Sequence, residues 1–98
     1  MKKVYISGPI SGHDFNHVKE SFAKAEKELV KAGFEVINSV KDIIDTKGHT
    51  YSEYLRKDIV NLLSCDYICI LDGYLNSEGC LLEISIANKC GIKQIAIR

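Results

Sequence analysis

The sequence predicts an α/β fold: a single-domain, three-layer, doubly wound arrangement with a parallel sheet of four to five strands. Short β-rich runs alternate with longer stretches of helical period, the pattern left by βαβ units wrapped around a parallel sheet. Residues 66–71 are almost continuously apolar, as a central strand covered on both faces must be. The length of 98 residues suits one domain, residues 1–98, and buries roughly two thirds of the surface its unfolded chain exposes, enough for one core.

The elements follow in order. Lys3-Val4-Tyr5-Ile6-Ser7 is the first strand, stopped by Gly8-Pro9, and a loop runs through Ile10-Ser11-Gly12-His13. The first helix begins near Asp14, whose carboxylate suits an N-cap. Val18, Phe22, Ala25 and Leu29 then project within about 60° of one another, a buried stripe, and Gly33 ends the helix. Residues 34–37 form the second strand. The connection from Asn38 to Thr50 is long enough to be expected to carry function. Helical period returns over residues 51–64, the central strand covers 66–71, and a loop spans 72–79. The third helix covers 80–89 and stops at Cys90-Gly91, and residues 93–97 close the sheet.

Thirteen basic and thirteen acidic residues leave no net charge, so the chain lacks the basic footprint of a polyanion binder and no nucleic-acid partner is expected. No apolar run approaches the roughly 18–20 residues of a membrane span. Met1-Lys2-Lys3 leads into a strand rather than a signal-peptide core, and a cytoplasmic protein is expected. Cys65, Cys69, Cys80 and Cys90 lack C-x-x-C spacing and sit in apolar stretches; they read as buried, reduced thiols. His13, His17 and His49 are scattered, so neither a metal nor another cofactor is expected.

Parallel open sheets bind ligands beyond the carboxyl ends of their strands. That places the chemistry at residues 7–13, 38–50 and 72–79. Two carboxylates stand on unexpected faces. Asp58 falls in the middle of the apolar arc formed by Tyr51, Tyr54, Leu55, Ile59 and Leu62, where an ionised carboxylate is costly unless hydrogen-bonded or open to a polar cavity. A cap or buried ion pair would also satisfy it. Val60, on the opposite face, suggests that this helix is covered on both sides. Glu83 projects between Ile86, Ala87 and Cys90, which predicts a half-buried acid. Its place in the first turn also suits the helix dipole. Together the two permit a division of labour, one ionised nucleophile and one proton donor, as in retaining glycosidic cleavage. The small residues Ser7 to Gly12 can expose backbone N–H groups to a ligand. Asn76-Ser77-Glu78-Gly79 precedes a helix N-terminus, where Ser77 is either a ligand contact or a plain N-cap.

Three fragments in this order and spacing resemble the nucleoside 2-deoxyribosyltransferase-like superfamily: Tyr5 to Gly12; Asp58 with Leu62 and Cys65-Asp66; and Ser77-Glu78-Gly79 with Glu83 and Ala87. The likeness spans nearly the whole chain and is closest to small members, with similarity to the deoxynucleoside 5′-monophosphate N-glycosidase branch. It implies a flavodoxin/Rossmann-like fold and cleavage of the base–sugar bond through a covalent glycosyl-glutamate. Glu83 would be the nucleophile, Asp58 the donor of a proton to the departing base, and Tyr5 the residue orienting Glu83. Gly8, Ile10 and Gly12 would line the base and sugar pocket, Ser77 would meet the 5′ end, a phosphate by the serine pattern, and Ser7 and Gly79 are further substrate-binding candidates. The implied partners are a nucleoside or nucleotide and further copies of the chain, as a homodimer or larger homo-oligomer. A non-catalytic nucleotide-binding or sensing module with the same pocket, or a purely structural subunit, are the alternative readings.

Overall fold

The computed structural model describes residues 1–41 and 50–97; most of the connection predicted between Asn38 and Thr50, with His49, and the terminal Arg98 lie outside the described residues. Strand β1 (Lys3–Ser7) leads to helix α1 (Phe15–Lys31) and strand β2 (Glu35–Ile37). Helix α2 (Tyr51–Leu63), strand β3 (Tyr67–Ile70), a single 3₁₀ turn (Tyr74–Asn76), helix α3 (Glu78–Lys89) and strand β4 (Lys93–Ile95) follow. The four strands are parallel in the order β2-β1-β3-β4. The order in which strands are added therefore reverses between β1 and β3, and the loops leaving those two strands part to open a crevice.

Strand alternation divides the core into two layers. Val4 and Ile6 of β1 face α1 and pack with Val18, Phe22, Ala25 and Leu29, the predicted stripe. Tyr5 and Ser7 point the other way, where Tyr5 joins Leu62 of α2, Ile68 of β3 and Ala87 of α3. Among the described residues α1 covers one face and α2 and α3 the other, which gives the three layers. Each helix start is capped by a side chain: Asp14 accepts the His17 N–H, Thr50 and Glu53 form a reciprocal capping box, and Ser77 accepts the Cys80 N–H.

Helices α1 and α3 end alike. The Phe34 N–H returns to the Leu29 carbonyl and the Ile92 N–H to the Ala87 carbonyl. Both closures need a left-handed residue, supplied by Gly33 (φ +97°) and Gly91 (φ +73°). The second closure corrects one expectation. Cys65, Cys69 and Cys80 are buried, but Cys90 is exposed. It lies beyond the last turn of α3, and Ile92 is the residue that folds back onto Ala87. Val60 is 67 % exposed, so nothing among the described residues of this chain covers that face of α2. Leu63 of α2 and Leu81 and Leu82 of α3 are also exposed. The edge strands β2 and β4 are shorter than predicted, and α3 starts two residues early, taking Glu78 and Gly79 out of the loop. No helix among the described residues is long and apolar enough to cross a membrane.

Candidate active site

The crevice holds a cavity of about 500 Å³ walled by the loop after β1 (Gly8, Ile10, Ser11), Ser39 beyond β2, the inner face of α2 and the first turns of α3. Its floor is built on β1. Tyr5 and Ser7, two residues apart, present both side chains on the face opposite α1, and both reach Glu83. The Tyr5 hydroxyl donates to Glu83 Oε2 at 2.5 Å and the Ser7 hydroxyl donates to Oε1 at 2.8 Å.

Glu83 is only 6 % exposed, more enclosed than the half-buried position predicted. Burial raises its carboxyl above the ordinary range, while the hydrogen bonds from Tyr5 and Ser7 pull it back down. The two hydroxyls thus offset part of the lift that burial imposes on this carboxyl. Each oxygen retains a further lone pair for chemistry. Tyr5 itself is pushed well above the usual phenol range, first by burial and then by the charges of Glu83 and Asp58. It remains a proton-bearing donor. Ser39, 4 % exposed, adds a hydrogen bond to the same phenol. Its neighbours hold it there: the Asn38 side chain accepts the Val40 N–H at 3.1 Å and donates to Glu26 of α1 at 2.9 Å.

Asp58 is half-buried on α2 and lines the same cavity as Glu83. The apolar arc predicted around it is realised unevenly. Leu62 is fully buried, Tyr54 and Leu55 are half-buried and wall the cavity, and Tyr51 is 61 % exposed at the mouth. The polar position in the stripe therefore opens onto a cleft rather than into packed core.

Tyr5, Gly8, Ile10, Ser77, Gly79, Asp58 and Glu83 all meet at this cavity. Ser7 stands behind Glu83 as its second donor. Gly12 stands apart: it is an exposed turn residue with φ +81° and open space around it, outside the lining. Gly8 is there for want of room, since a Cβ would come within 2.9 Å of Leu71 Cδ1 and 3.0 Å of Phe22 Cε1. Ser77 is the N-cap of α3, its Oγ accepting the Cys80 N–H at 3.2 Å, and its side chain still borders the cavity. Sequence reasoning reached Ser39 and Glu78 only as members of the loops 38–50 and 72–79 and missed Tyr51, Tyr54, Leu55 and Cys80 as lining residues; for Tyr51, Tyr54 and Leu55 the signal was present in the arc they share with Asp58. Among the described residues no group of three or more His, Cys, Asp or Glu is placed to hold a metal ion.

A family described as a domain of unknown function, DUF4406, matches residues 2–96. No curated protein matches the chain in sequence. A 2-deoxyribosyltransferase from the psychrotolerant bacterium Bacillus psychrosaccharolyticus superposes with a TM-score of 0.75 at 17 % identity, over 96 % of this chain and 70 % of that one. A CMP N-glycosidase of Clostridium botulinum gives 0.68 at 22 % identity, over 97 % and 70 %. A conserved protein from Enterococcus faecalis V583 gives 0.71 at 24 % identity, over 98 % and 62 %. The resemblance expected from the sequence is borne out in the fold these proteins share.

Proposed function

We propose that this chain, which belongs to the DUF4406 family, cleaves the N-glycosidic bond of a nucleoside or its 5′-monophosphate through a covalent glycosyl-enzyme. The observation that carries the reading is Glu83: a buried carboxylate, hydrogen-bonded on both oxygens by β1, at the floor of a cavity that Asp58 also lines. The fold shared with a 2-deoxyribosyltransferase and a CMP N-glycosidase supports it.

In the first step a Glu83 oxygen attacks the anomeric carbon. The carbon–nitrogen bond breaks, its electron pair leaves with the base, and Asp58 delivers the proton the base takes up. In the second, water or an acceptor base attacks the same carbon while Asp58 takes back a proton, and Glu83 leaves as carboxylate. The sugar is inverted twice and its configuration retained. Tyr5 and Ser7 hold the nucleophile in one rotamer and stabilise its charge before attack and on release, and Ser39 holds Tyr5. Gly8 and Ile10 border the base and sugar, and Ser77 and Gly79 the 5′ end. The enzyme acts in the cytoplasm, where buried thiols stay reduced, as a homodimer or larger assembly. The exposed Val60, Leu63, Leu81 and Leu82 support a second copy against α2 and α3.

The test is incubation of purified protein with deoxynucleosides and their monophosphates, following free base by chromatography. Base release that disappears in Glu83→Ala is expected, and release undiminished in that variant overturns the assignment.

A further inference from the structure

The turn after β2, residues 38–41, joins the two layers of the core. Val40 packs into the layer that α1 covers, with Val18 and Phe22, while Ser39 beside it borders the cavity in the other layer. Asn38 fixes this turn with both ends of its side chain. Its Oδ1 accepts the Val40 N–H and its Nδ2 donates to Glu26 Oε1, and its main-chain carbonyl accepts the Lys41 N–H at 3.2 Å. The second Glu26 oxygen receives the Lys41 ammonium at 2.7 Å. Glu26, half-buried on α1, therefore grips the turn at its first residue and its last, and it does so from the face of the sheet opposite Glu83. Neither Glu26 nor Asn38 is among the residues lining the cavity.

The bonds that continue from this turn have a direction. The Tyr5 phenol has one proton and gives it to Glu83, so in its bond with Ser39 the serine hydroxyl is the donor. A bond received by the phenol oxygen polarises the O–H that the phenol donates, and the two strengthen one another. Ser39 plays this part only while the turn sets its hydroxyl against Tyr5. Resting on the reaction proposed above, we infer that Glu26 and Asn38 are positioning residues for the nucleophile: they act through Ser39 and Tyr5 on how firmly Glu83 is held, without touching the substrate. The Glu26–Lys41 ion pair alone would contribute little at the surface; its effect comes from closing a turn that bears on the reacting carboxylate.

The test exchanges the polarity of the Asn38–Glu26 pair. In Asn38→Asp the new carboxylate still accepts from Val40, but it meets Glu26 with like charge and no proton to donate. Adding Glu26→Gln restores a donor, since the glutamine amide gives its N–H to the aspartate and its oxygen to Lys41. Base release is measured together with the titration of the Glu83 carboxyl, followed by NMR of carboxyl-labelled glutamate and identified by its absence in Glu83→Gln. Asn38→Asp and Asn38→Ala are expected to lower kcat about tenfold or more with KM held within about twofold. Both should move the Glu83 titration to higher pH, in the direction of Tyr5→Phe and by a smaller step, and the double variant should recover most of both losses. The other ionisable groups lining the cavity, Tyr51, Tyr54, Asp58, Glu78 and Cys80, are unaltered in every variant. In a Tyr5→Phe background Asn38→Ala should add little, because the two act on one bond. A lower melting temperature with the Glu83 titration unmoved, a change in KM alone, full additivity with Tyr5→Phe, or no recovery in a double variant that melts with the wild type would overturn the inference. Titrations that shift as expected in a protein that releases no base would sink the proposed reaction alone.

Discussion

Replacing Glu83 by glutamine should raise stability while ending turnover. Burial lifts the Glu83 carboxyl above its ordinary value of 4.5, and the bonds from Tyr5 and Ser7 only partly offset that lift. The folded state therefore favours the neutral form. Wild-type stability is highest below the ordinary value and falls as pH rises through it toward the raised one. The amide of glutamine does not titrate, and the Tyr5 and Ser7 hydroxyls can accept as well as donate, so two hydrogen bonds survive. Each unit of lift is worth about 1.4 kcal/mol at neutral pH, and 1 kcal/mol moves the melting point of a domain this size by roughly 4–8 °C. Calorimetric scans from pH 4 to 8 should show the two proteins melting together at the acid end and the variant several degrees higher at neutral pH. Base release should fall by about 10³-fold or more, since the nucleophile is gone. A variant less stable than wild type at neutral pH, or one that still releases base, would refute the picture of a desolvated carboxylate held ready for attack.

Other substitutions separate the parts of the site. Tyr5→Phe removes a bond that lowers the Glu83 carboxyl, so the acid limb of the pH–rate profile should move to higher pH, and loss of a charge-assisted bond should cost about 1.5–3 kcal/mol in denaturant melts; an unmoved limb contradicts the assignment. Asp58→Asn should slow base release about 10²–10⁴-fold while substrate Kd stays within a few-fold, with a smaller loss for bases that depart without a proton; equal losses for all bases would remove Asp58 from the proton step. Gly8→Ala drives a methyl against Leu71 and Phe22 and should cost about 1–3 kcal/mol, read as a lower melting temperature; an unchanged one would mean that the first loop yields freely.

Much of this molecule can be read from periodicity. The stripe of Val18, Phe22, Ala25 and Leu29 specifies α1 and its buried face because spacing and burial share one cause. Asp58 and Glu83 stand out for the complementary reason: each interrupts an apolar surface, and both interruptions open onto the cavity. Local pattern does not reveal what tertiary topology assembles. Ser39 reaches the site only because β2 lies beside β1 in parallel register. Cys90 looks apolar in sequence and is exposed because the closure of α3 selects Ile92 for burial. Glu78-Gly79 reads as loop, since glycine is a poor helix former, yet the Ser77 cap draws both into the first turn.

The two hydroxyls that grip Glu83 come from a strand with neighbours on both sides, whereas the chamber's rim comes from loops and helix turns. That separation suits laboratory evolution: libraries at Ile10, Ser11, Tyr54 and Asn76 could resculpt which molecules enter while the reactive oxygen keeps its coordinates, so altered selectivity need not begin by rebuilding catalysis.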